Sequence, residues 1–599
     1  MKFLISYSIF LAFFTLNITY SQENSIHKIH SHNDYEHPIP FWTAYVNDVS
    51  SIEADIFLKN DTLYVTHDPS EIKKDRTLES LYLQPLQKAK KLRFGNQQEL
   101  QLLIDVKSDA ATTLKTLIAT LEKYPDLIND ELISFVISGN RPSPENYLDY
   151  PKYILFDYQS LENVSDSKIW NKIALVSLPF SKFSNWNGKG RLTKDDYEKV
   201  ATVITNAHSF NKPFRFWGAP DSKTAWKAFT DLGVDFINTD MPFEASKYLK
   251  TLDQRVYYNT FQSPVYKPTF TSDKKNTPIK NIILLIGDGN GLSQISSAVL
   301  ANKGELTLTQ LKSIGFLKTQ SADDFTTDSA AAGTALATGE KTYNRAIGMN
   351  NNRLAIENIT ELLDKHNFIS GCITTDEITG ATPASFYSHQ IDRDMTEGTA
   401  NDLVKSKLSL FIGGGSNHFT NKFSNSDFSI LNTLNEVAIS KKQKVGYFLS
   451  KNGVPSMLKE RGNILAEATK NGLAFLNAKN KPFFLMVEAA QIDSNGHTNN
   501  IGGIVSEGID FDTAITEAIK FADTHQNTLV IITADHETSG FSIPQGNVEK
   551  QMVEGDFTTY DHTGTMVPIF AYGPHSDTFS GVYENNTVFH KIISLLDLK

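Results

Sequence analysis

Asp288, Glu488, Asp493, His497, Asp535, His536 and His562 read as residues at or just beyond strand ends in the second half of the chain. Carboxylates and imidazoles in this proportion suit Zn²⁺ and Mg²⁺, which need anionic or neutral-nitrogen ligands in a rigid frame. Any one of them alone would serve as a helix cap or a hydrogen-bonded surface group; as a set they read as metal ligands. Ser329 opens the small-residue run Asp328-Ser329-Ala330-Ala331-Ala332-Gly333, which predicts a helix with serine at its N-terminus. A helix N-terminus attracts anions, and a serine there can attack phosphorus where a metal stabilises its alkoxide.

A second set lies early in the chain: His30-Ser31-His32-Asn33-Asp34, Glu53-Ala54-Asp55, His67-Asp68 and Asp105-Val106-Lys107. Residues two apart in a strand face the same side, so Glu53 and Asp55 can reach one cation, and Asp105 and Lys107 pair opposite charges. A purely structural reading stands beside this one, with Glu53 in an internal salt bridge and His30 or His32 as a hydrogen-bonded histidine.

These groups need elements to position them. Short apolar runs at Ile26–His30, Ser51–Phe57, Leu102–Val106, Ile133–Ser138, Tyr153–Phe156, Ile173–Val176, Phe214–Gly218 and Phe236–Asn238 alternate with helical stretches, and Leu63–Val65 reads as a hairpin strand. Eight strands interleaved with helices predict a (β/α)₈ TIM barrel over residues 22–256, with an open doubly wound sheet as the alternative. Residues 257–280 are polar, carry Pro264, Pro268 and Pro278, and read as a linker. From residue 281 to 599 a second α/β domain is expected. It opens with the unbroken run Ile282–Ile286, typical of a central parallel strand, and continues with Phe411-Ile412, Phe483–Val487 and Leu529–Ile532. Chemistry after such runs sits at the carboxyl ends of strands, where open α/β sheets build sites.

The 599 residues exceed what one core supports and suffice for two. With 40 % hydrophobic and 21 % charged residues the chain is globular rather than disordered. Its 57 Lys+Arg against 68 Asp+Glu leave a net charge of −11, which argues against nucleic acid as a partner while leaving room for a small phosphate. Lys2, the apolar stretch Phe3–Leu16 and Thr19-Tyr20-Ser21 read as a signal peptide over residues 1–21, cleaved after Ser21. A stable membrane anchor is not expected, since Ser6, Ser8 and Thr15 interrupt a stretch short of the about 20 residues a span needs. Cys372 is the only cysteine, so no intramolecular disulfide can form. Export without disulfides suits a bacterial periplasm or the medium.

Residues from about 280 to 599 resemble the alkaline phosphatases. The motifs that carry the resemblance are Leu285-Ile286-Gly287-Asp288-Gly289, Asp328-Ser329-Ala330-Ala331, Ala381-Thr382-Pro383-Ala384, Val487-Glu488-Ala489-Ala490-Gln491-Ile492-Asp493 with His497, Thr533-Ala534-Asp535-His536-Glu537 and His562-Thr563-Gly564, in the family's order. The resemblance implies an α/β/α sandwich, two Zn²⁺ and one Mg²⁺. By the same resemblance Ser329 is the nucleophile. Asp493, His497 and His562 are the ligands of the zinc at the leaving group, and Asp288, Asp535 and His536 those of the zinc at the serine. Asp288 bridges to a magnesium completed by Thr382 and Glu488, and Arg393 clamps the phosphoryl oxygens with Asp328 as its orienting partner. Gly380 stands where many bacterial relatives place an acid beside the magnesium waters, and Ser494 where relatives often have Lys or His. Members are commonly dimers, which implies a homodimer here.

Residues 26–250 resemble the superfamily of glycerophosphodiester phosphodiesterases and phosphatidylinositol phospholipases C. The early histidine cluster, Glu53-x-Asp55, His67-Asp68, Asp105-x-Lys107 and the closing Gly233-Val234-Asp235-Phe236-Ile237-Asn238-Thr239-Asp240-Met241-Pro242 carry the likeness. It implies Ca²⁺ or Mg²⁺ on Glu53, Asp55 and Asp105, phosphate contact by Lys107, and general acid and base work by His67 and one of His30 or His32, with His30 favoured by its position on the strand and its spacing to Asn33. His30-Ser31-His32 replaces the usual His-Arg-Gly. The combined expectation is a scavenger of small phosphate esters: the barrel cuts a phosphodiester to a monoester, and the phosphatase releases phosphate from it. The alternative is a phosphatase with a non-catalytic, ligand-binding barrel.

Overall fold

In the computed structural model the described residues are 27–95, 99–596 and 598, and they form two compact units that meet in sequence at Leu252 and Asp253. The signal peptide expected over residues 1–21 lies outside the described residues.

The first unit is a closed barrel. Its strands are β1 (Lys28–Ser31), β2 (Ser51–Lys59), β3 (Thr62–Val65), β4 (Leu100–Val106), β5 (Ile133–Gly139), β6 (Ile154–Tyr158), β7 (Ile173–Pro179), β8 (Phe214–Trp217) and β9 (Phe236–Thr239). The order runs β1-β9-β8-β7-β6-β5-β4-β2, and the β1–β2 pairing closes the ring; β3 hangs antiparallel on β2 as the hairpin strand. Closure excludes the open doubly wound sheet. Register sets Asp55 opposite Asp105 on neighbouring strands, and His30 opposite Ser51 on one side and Asn238 on the other. Ile52, Ala54 and Ile56 are buried together with the alternating Glu53 and Asp55, so β2 is buried on both faces. The odd-numbered residues meet side chains of distant strands, as in Arg215 of β8 with Glu53, and therefore point into the barrel.

The second unit is built on a ten-stranded sheet. From one edge its strands are Phe428–Ile430, Lys444–Phe448, Leu408–Gly414, Ile369–Glu377, Phe483–Ala489, Asn281–Gly287, Thr528–Thr533, Val567–Tyr572, Ser313–Lys318 and Gly581–Glu584. Only Val567–Tyr572 runs antiparallel to its neighbours. Ile283 and Leu285 of the central strand join one apolar cluster, with residues of the helices Leu292–Ala301, Ile464–Asn477 and Ile501–Thr524. Ile282, Leu284 and Ile286 join another, with the helices Ser329–Thr338 and Thr587–Leu595. A strand buried on both faces has no polar alternation, which is why Ile282–Ile286 reads as an unbroken apolar run. The result is a three-layer sandwich.

Residues 257–280, expected as a linker, lie on this second unit. The strand Val256–Tyr258 pairs antiparallel with Met552–Asp556, and Tyr257, Phe261, Tyr266 and Phe270 pack on the apolar cluster. The Tyr266 hydroxyl donates to Asp523 at 2.8 Å, and the Phe270 amide to the Tyr572 hydroxyl at 2.9 Å. Aromatic residues spaced through a proline-rich stretch hold it down where composition alone suggests a free chain.

Candidate functional site

The carboxyl ends of the central strands of the second unit converge. Asp288 follows Asn281–Gly287, Glu488 is the penultimate residue of Phe483–Ala489, and Asp535 and His536 follow Thr528–Thr533. Asp493 and His497 lie on and just after the short helix Gln491–Gly496, one helical turn apart. Ser329 begins the helix Ser329–Thr338, whose cap is Asp328: its carboxylate accepts from the Ala331 amide at 3.0 Å.

Three overlapping ligand groups lie in this pocket, one of them His497, Asp561 and His562. Asp288, Asp535 and His536 present ligand atoms within 4.8 Å of one another, as do Asp493, His536 and His562. His536 Nε2 is 3.4 Å from both Asp288 Oδ1 and Asp535 Oδ2, and 3.2 Å from Ser329 Oγ. Asp493 lies 3.4 Å from His497 Nε2 and 3.5 Å from His562 Nε2, and the two Nε2 atoms are 3.1 Å apart. His497 Nδ1 and His562 Nδ1 are bonded to the carbonyls of Tyr560 and Thr327, at 2.6 and 2.8 Å. These bonds fix the Nδ1–H tautomer and turn both Nε2 lone pairs inward, the arrangement expected of metal-binding histidines. Arg393 Nη1 reaches Asp328 Oδ2 at 3.1 Å, so one carboxylate caps the serine's helix and orients the guanidinium.

The charges are unbalanced as they stand. Burial, then Asp535, Asp493 and Glu488, drive the Asp288 carboxyl well above its ordinary range. Burial and then Asp493 push Asp535 up to about 7. Thr382 is 1 % exposed and its hydroxyl makes no hydrogen bond. Buried acids crowded this way are stable when cations sit among them, and the donor set of carboxylates, imidazoles and a hydroxyl fits Zn²⁺ and Mg²⁺.

The barrel site forms at the ends of β1, β2 and β4. Glu53, Asp55 and Asp105 present carboxylate oxygens within 4.8 Å of one another, and Asp55 Oδ1 and Asp105 Oδ1 are buried without a hydrogen bond. Lys107 Nζ sits 3.1 Å from Asp55 and from Asp105. Burial pushes the Asp105 carboxyl up to about 6, although Lys107 opposes it. His67 Nδ1 lies 2.9 Å from Asp55, with two-thirds of its side chain exposed. His32 Nδ1 lies 2.7 Å from Asp240 at the barrel mouth; burial opposes protonation, but the Asp240 bond raises its pKa above the ordinary value. His30 differs. It is fully buried, with Nδ1 2.7 Å from Ser51 Oγ and Nε2 2.7 Å from Glu53, and burial followed by Arg215 lowers its pKa to about 3. Neither ring nitrogen of His30 is left to face a substrate.

Sequence reasoning missed several neighbours. Arg215 is 3.4 Å from Glu53 and 3.9 Å from Asp157 inside the barrel. Its signal was a lone arginine in the apolar strand Phe214–Trp217. The Tyr35 hydroxyl donates to Asp55 at 2.8 Å. In the second unit Thr538 bonds both Asp493 and His536, and Glu537 accepts from Gln294 at 2.7 Å.

Known proteins are similar to both parts of the chain. The profile described as alkaline phosphatase matches residues 279–555 and 545–598, an AIM6-like phosphodiesterase domain matches residues 20–94, and the glycerophosphoryl diester phosphodiesterase family matches residues 213–242. Alkaline phosphatase 4 of Bacillus subtilis is 30 % identical over 409 residues, covering 53 % of this chain and 89 % of its own length. The alkaline phosphatase of Escherichia coli is 29 % identical over 416 residues, covering 55 % and 88 %. Among solved structures, the alkaline phosphatase of the Antarctic bacterium TAB5 is similar with a TM-score of 0.52 at 40 % identity, covering 54 % of this chain and 100 % of that one. A mutant of that enzyme has Mg bound in its M3 site.

Proposed function

The chain belongs to the alkaline phosphatase family through residues 279–598, and we propose that it is an exported phosphoesterase acting in two steps, first on a phosphodiester and then on the resulting monoester. The observation that carries the second step is the convergence of Ser329, His536 and the Arg393–Asp328 pair on one pocket of buried carboxylates. Asp493, His497 and His562 would hold one zinc, Asp288, Asp535 and His536 a second, and Asp288, Thr382 and Glu488 a magnesium. Bound there, such cations supply Lewis-acid polarisation and offset the negative charge that gathers on the phosphoryl oxygens.

This chain's own residues do the rest. Ser329 Oγ forms the new bond to phosphorus as the bond to the departing alcohol oxygen breaks, giving a phosphoserine. Water then displaces the serine and releases inorganic phosphate. His536 Nε2, 3.2 Å from Oγ, places the ligand set of the second zinc beside the nucleophile. Arg393 offers two N–H groups to the nonbridging oxygens, and Asp328 keeps its plane fixed. The amides at the start of Ser329–Thr338 add a favourable dipole for the anion.

In the barrel, Glu53, Asp55 and Asp105 would hold Ca²⁺ or Mg²⁺, since two of their oxygens are buried without partners. Lys107 would contact phosphate, while His32 and His67 would exchange protons with the attacking and leaving oxygens; His30 would position Glu53. A small glycerol- or inositol-like group is the favoured substrate. Export rests on the basic residue and apolar stretch Lys2–Leu16; among the described residues no helix is long and apolar enough to cross a membrane.

The test is phosphorus NMR of a glycerophosphodiester incubated with Ser329→Ala protein in zinc, magnesium and calcium. Monoester should accumulate with the variant and free phosphate with the wild type. A diester left unchanged by both proteins, while the wild type still hydrolyses a monoester, would overturn the two-step reading and leave the barrel as a ligand-binding module.

A further inference from the structure

One carboxylate beside the pocket has no part in the chemistry above. Asp376 is the penultimate residue of the strand Ile369–Glu377, which pairs with Phe483–Ala489 in a register that sets Thr374 against Glu488. Thr374 ties the two together: its hydroxyl donates to Glu488 and accepts the Asp376 amide at 2.8 Å. Asp376 is therefore held two residues beyond the partner of a proposed magnesium ligand.

Its direction is set by a glycine. A Cβ placed on Gly380 would lie 2.3 Å from Asp376 Oδ2. Gly380 has φ −58° and ψ 158°, a conformation any residue adopts, so the backbone does not call for glycine there. Space does: the Asp376 carboxylate fills the volume a side chain at position 380 would take. Gly380 leads directly into the turn Ala381–Ala384, which carries Thr382 with its buried, unbonded hydroxyl. Two acids tied by Thr374 and an unpartnered hydroxyl at one strand end are a donor set that a hard divalent cation would take.

We propose that Asp376 is a further ligand, direct or through one water, of the cation held by Thr382 and Glu488, and that Gly380 is present to admit it. This rests on the reading of Asp288, Thr382 and Glu488 as a magnesium site. Binding is to be measured by calorimetric titration of Mg²⁺ into zinc-loaded full-length protein, with zinc content and melting temperature as controls. The wild type should take up one Mg²⁺ beyond its zinc, and Asp376→Asn should bind it about tenfold more weakly or worse with zinc content unchanged. The double variant Asp376→Ala with Gly380→Asp, which moves the carboxylate across the same space, should recover most of the affinity.

Wild-type Mg²⁺ affinity in Asp376→Asn would overturn the role of Asp376 while leaving the magnesium site standing. Absence of any third cation in the wild type would overturn both. Should Asp376→Asn fold poorly, the double variant decides: recovered Mg²⁺ binding supports the assignment, and its loss in a folded, zinc-loaded protein overturns it.

Discussion

His30 lies on β1 and His32 just past its end, and only His32 faces the barrel mouth. His32 has Asp240 to orient it and solvent to exchange protons with, whereas His30 spends both nitrogens on Ser51 and Glu53. His32→Gln should therefore cut diester turnover by about a hundredfold or more at an unchanged melting temperature. His30→Gln should act first on stability, by about 1–3 kcal/mol, because it disturbs the partners of a buried carboxylate. Equal losses of turnover and no loss of stability in both would reverse the assignment. In the phosphatase pocket, Arg393→Lys keeps the charge but loses the planar pair of donors. Monoester kcat/KM should fall by about tenfold or more with zinc content intact, and an unchanged value would remove Arg393 from the phosphate. Residue types and spacing announced the carboxylates and histidines of both sites. The pairings could not be read, since Arg215 reaches Glu53 across the barrel from β8 and Asp240 reaches His32 only because β9 pairs with β1.

Elements impose their own demands. β5 ends at Gly139 with φ +69°, and a Cβ there would meet Asp105 Oδ1 at 1.8 Å. Gly139→Ala should displace the Asp105 carboxylate and strain the backbone, weakening cation binding by the barrel while zinc content in the second unit stays the same. Metal titration of both sites checks this, and unaltered barrel affinity would sink it. The helix Ile501–Thr524 carries Glu507 and Asp510 one turn apart, both buried against Arg461 at 2.7 and 2.6 Å. Burial pushes the Glu507 carboxyl up to about 7, Arg461 pulls it back, and Asp510 adds to the rise. A carboxyl that holds its proton more tightly when folded adds stability in full below its ordinary pKa of about 4.3, and that stability is lost as pH rises to about 7. Glu507→Gln should therefore flatten the fall in melting temperature over that window. Parallel curves for variant and wild type would contradict it.

Taken whole, the protein buries the carboxylates of Asp288, Glu488 and Asp535 in one unit, with the half-buried Asp493 beside them. A cation bound only by the folded form stabilises it by about 4 kcal/mol at a thousand times its dissociation constant. Treatment with a chelator should lower the melting temperature of this unit and added zinc should restore it; calorimetry showing no change would mean that the acids need no cations. Much of the molecule was legible in advance. Apolar runs and the motifs around Ser329, Asp288 and Glu53 are local, because helix and strand preferences depend on neighbours in sequence. Two α/β units, eight barrel strands and most ligand candidates followed from them. Closure of the barrel through the β1–β2 pairing, the burial of His30 and the packing of residues 257–280 on the second unit were not legible. Each depends on which residues distant in the chain become neighbours in space, and that is set by packing and register, not by any local pattern.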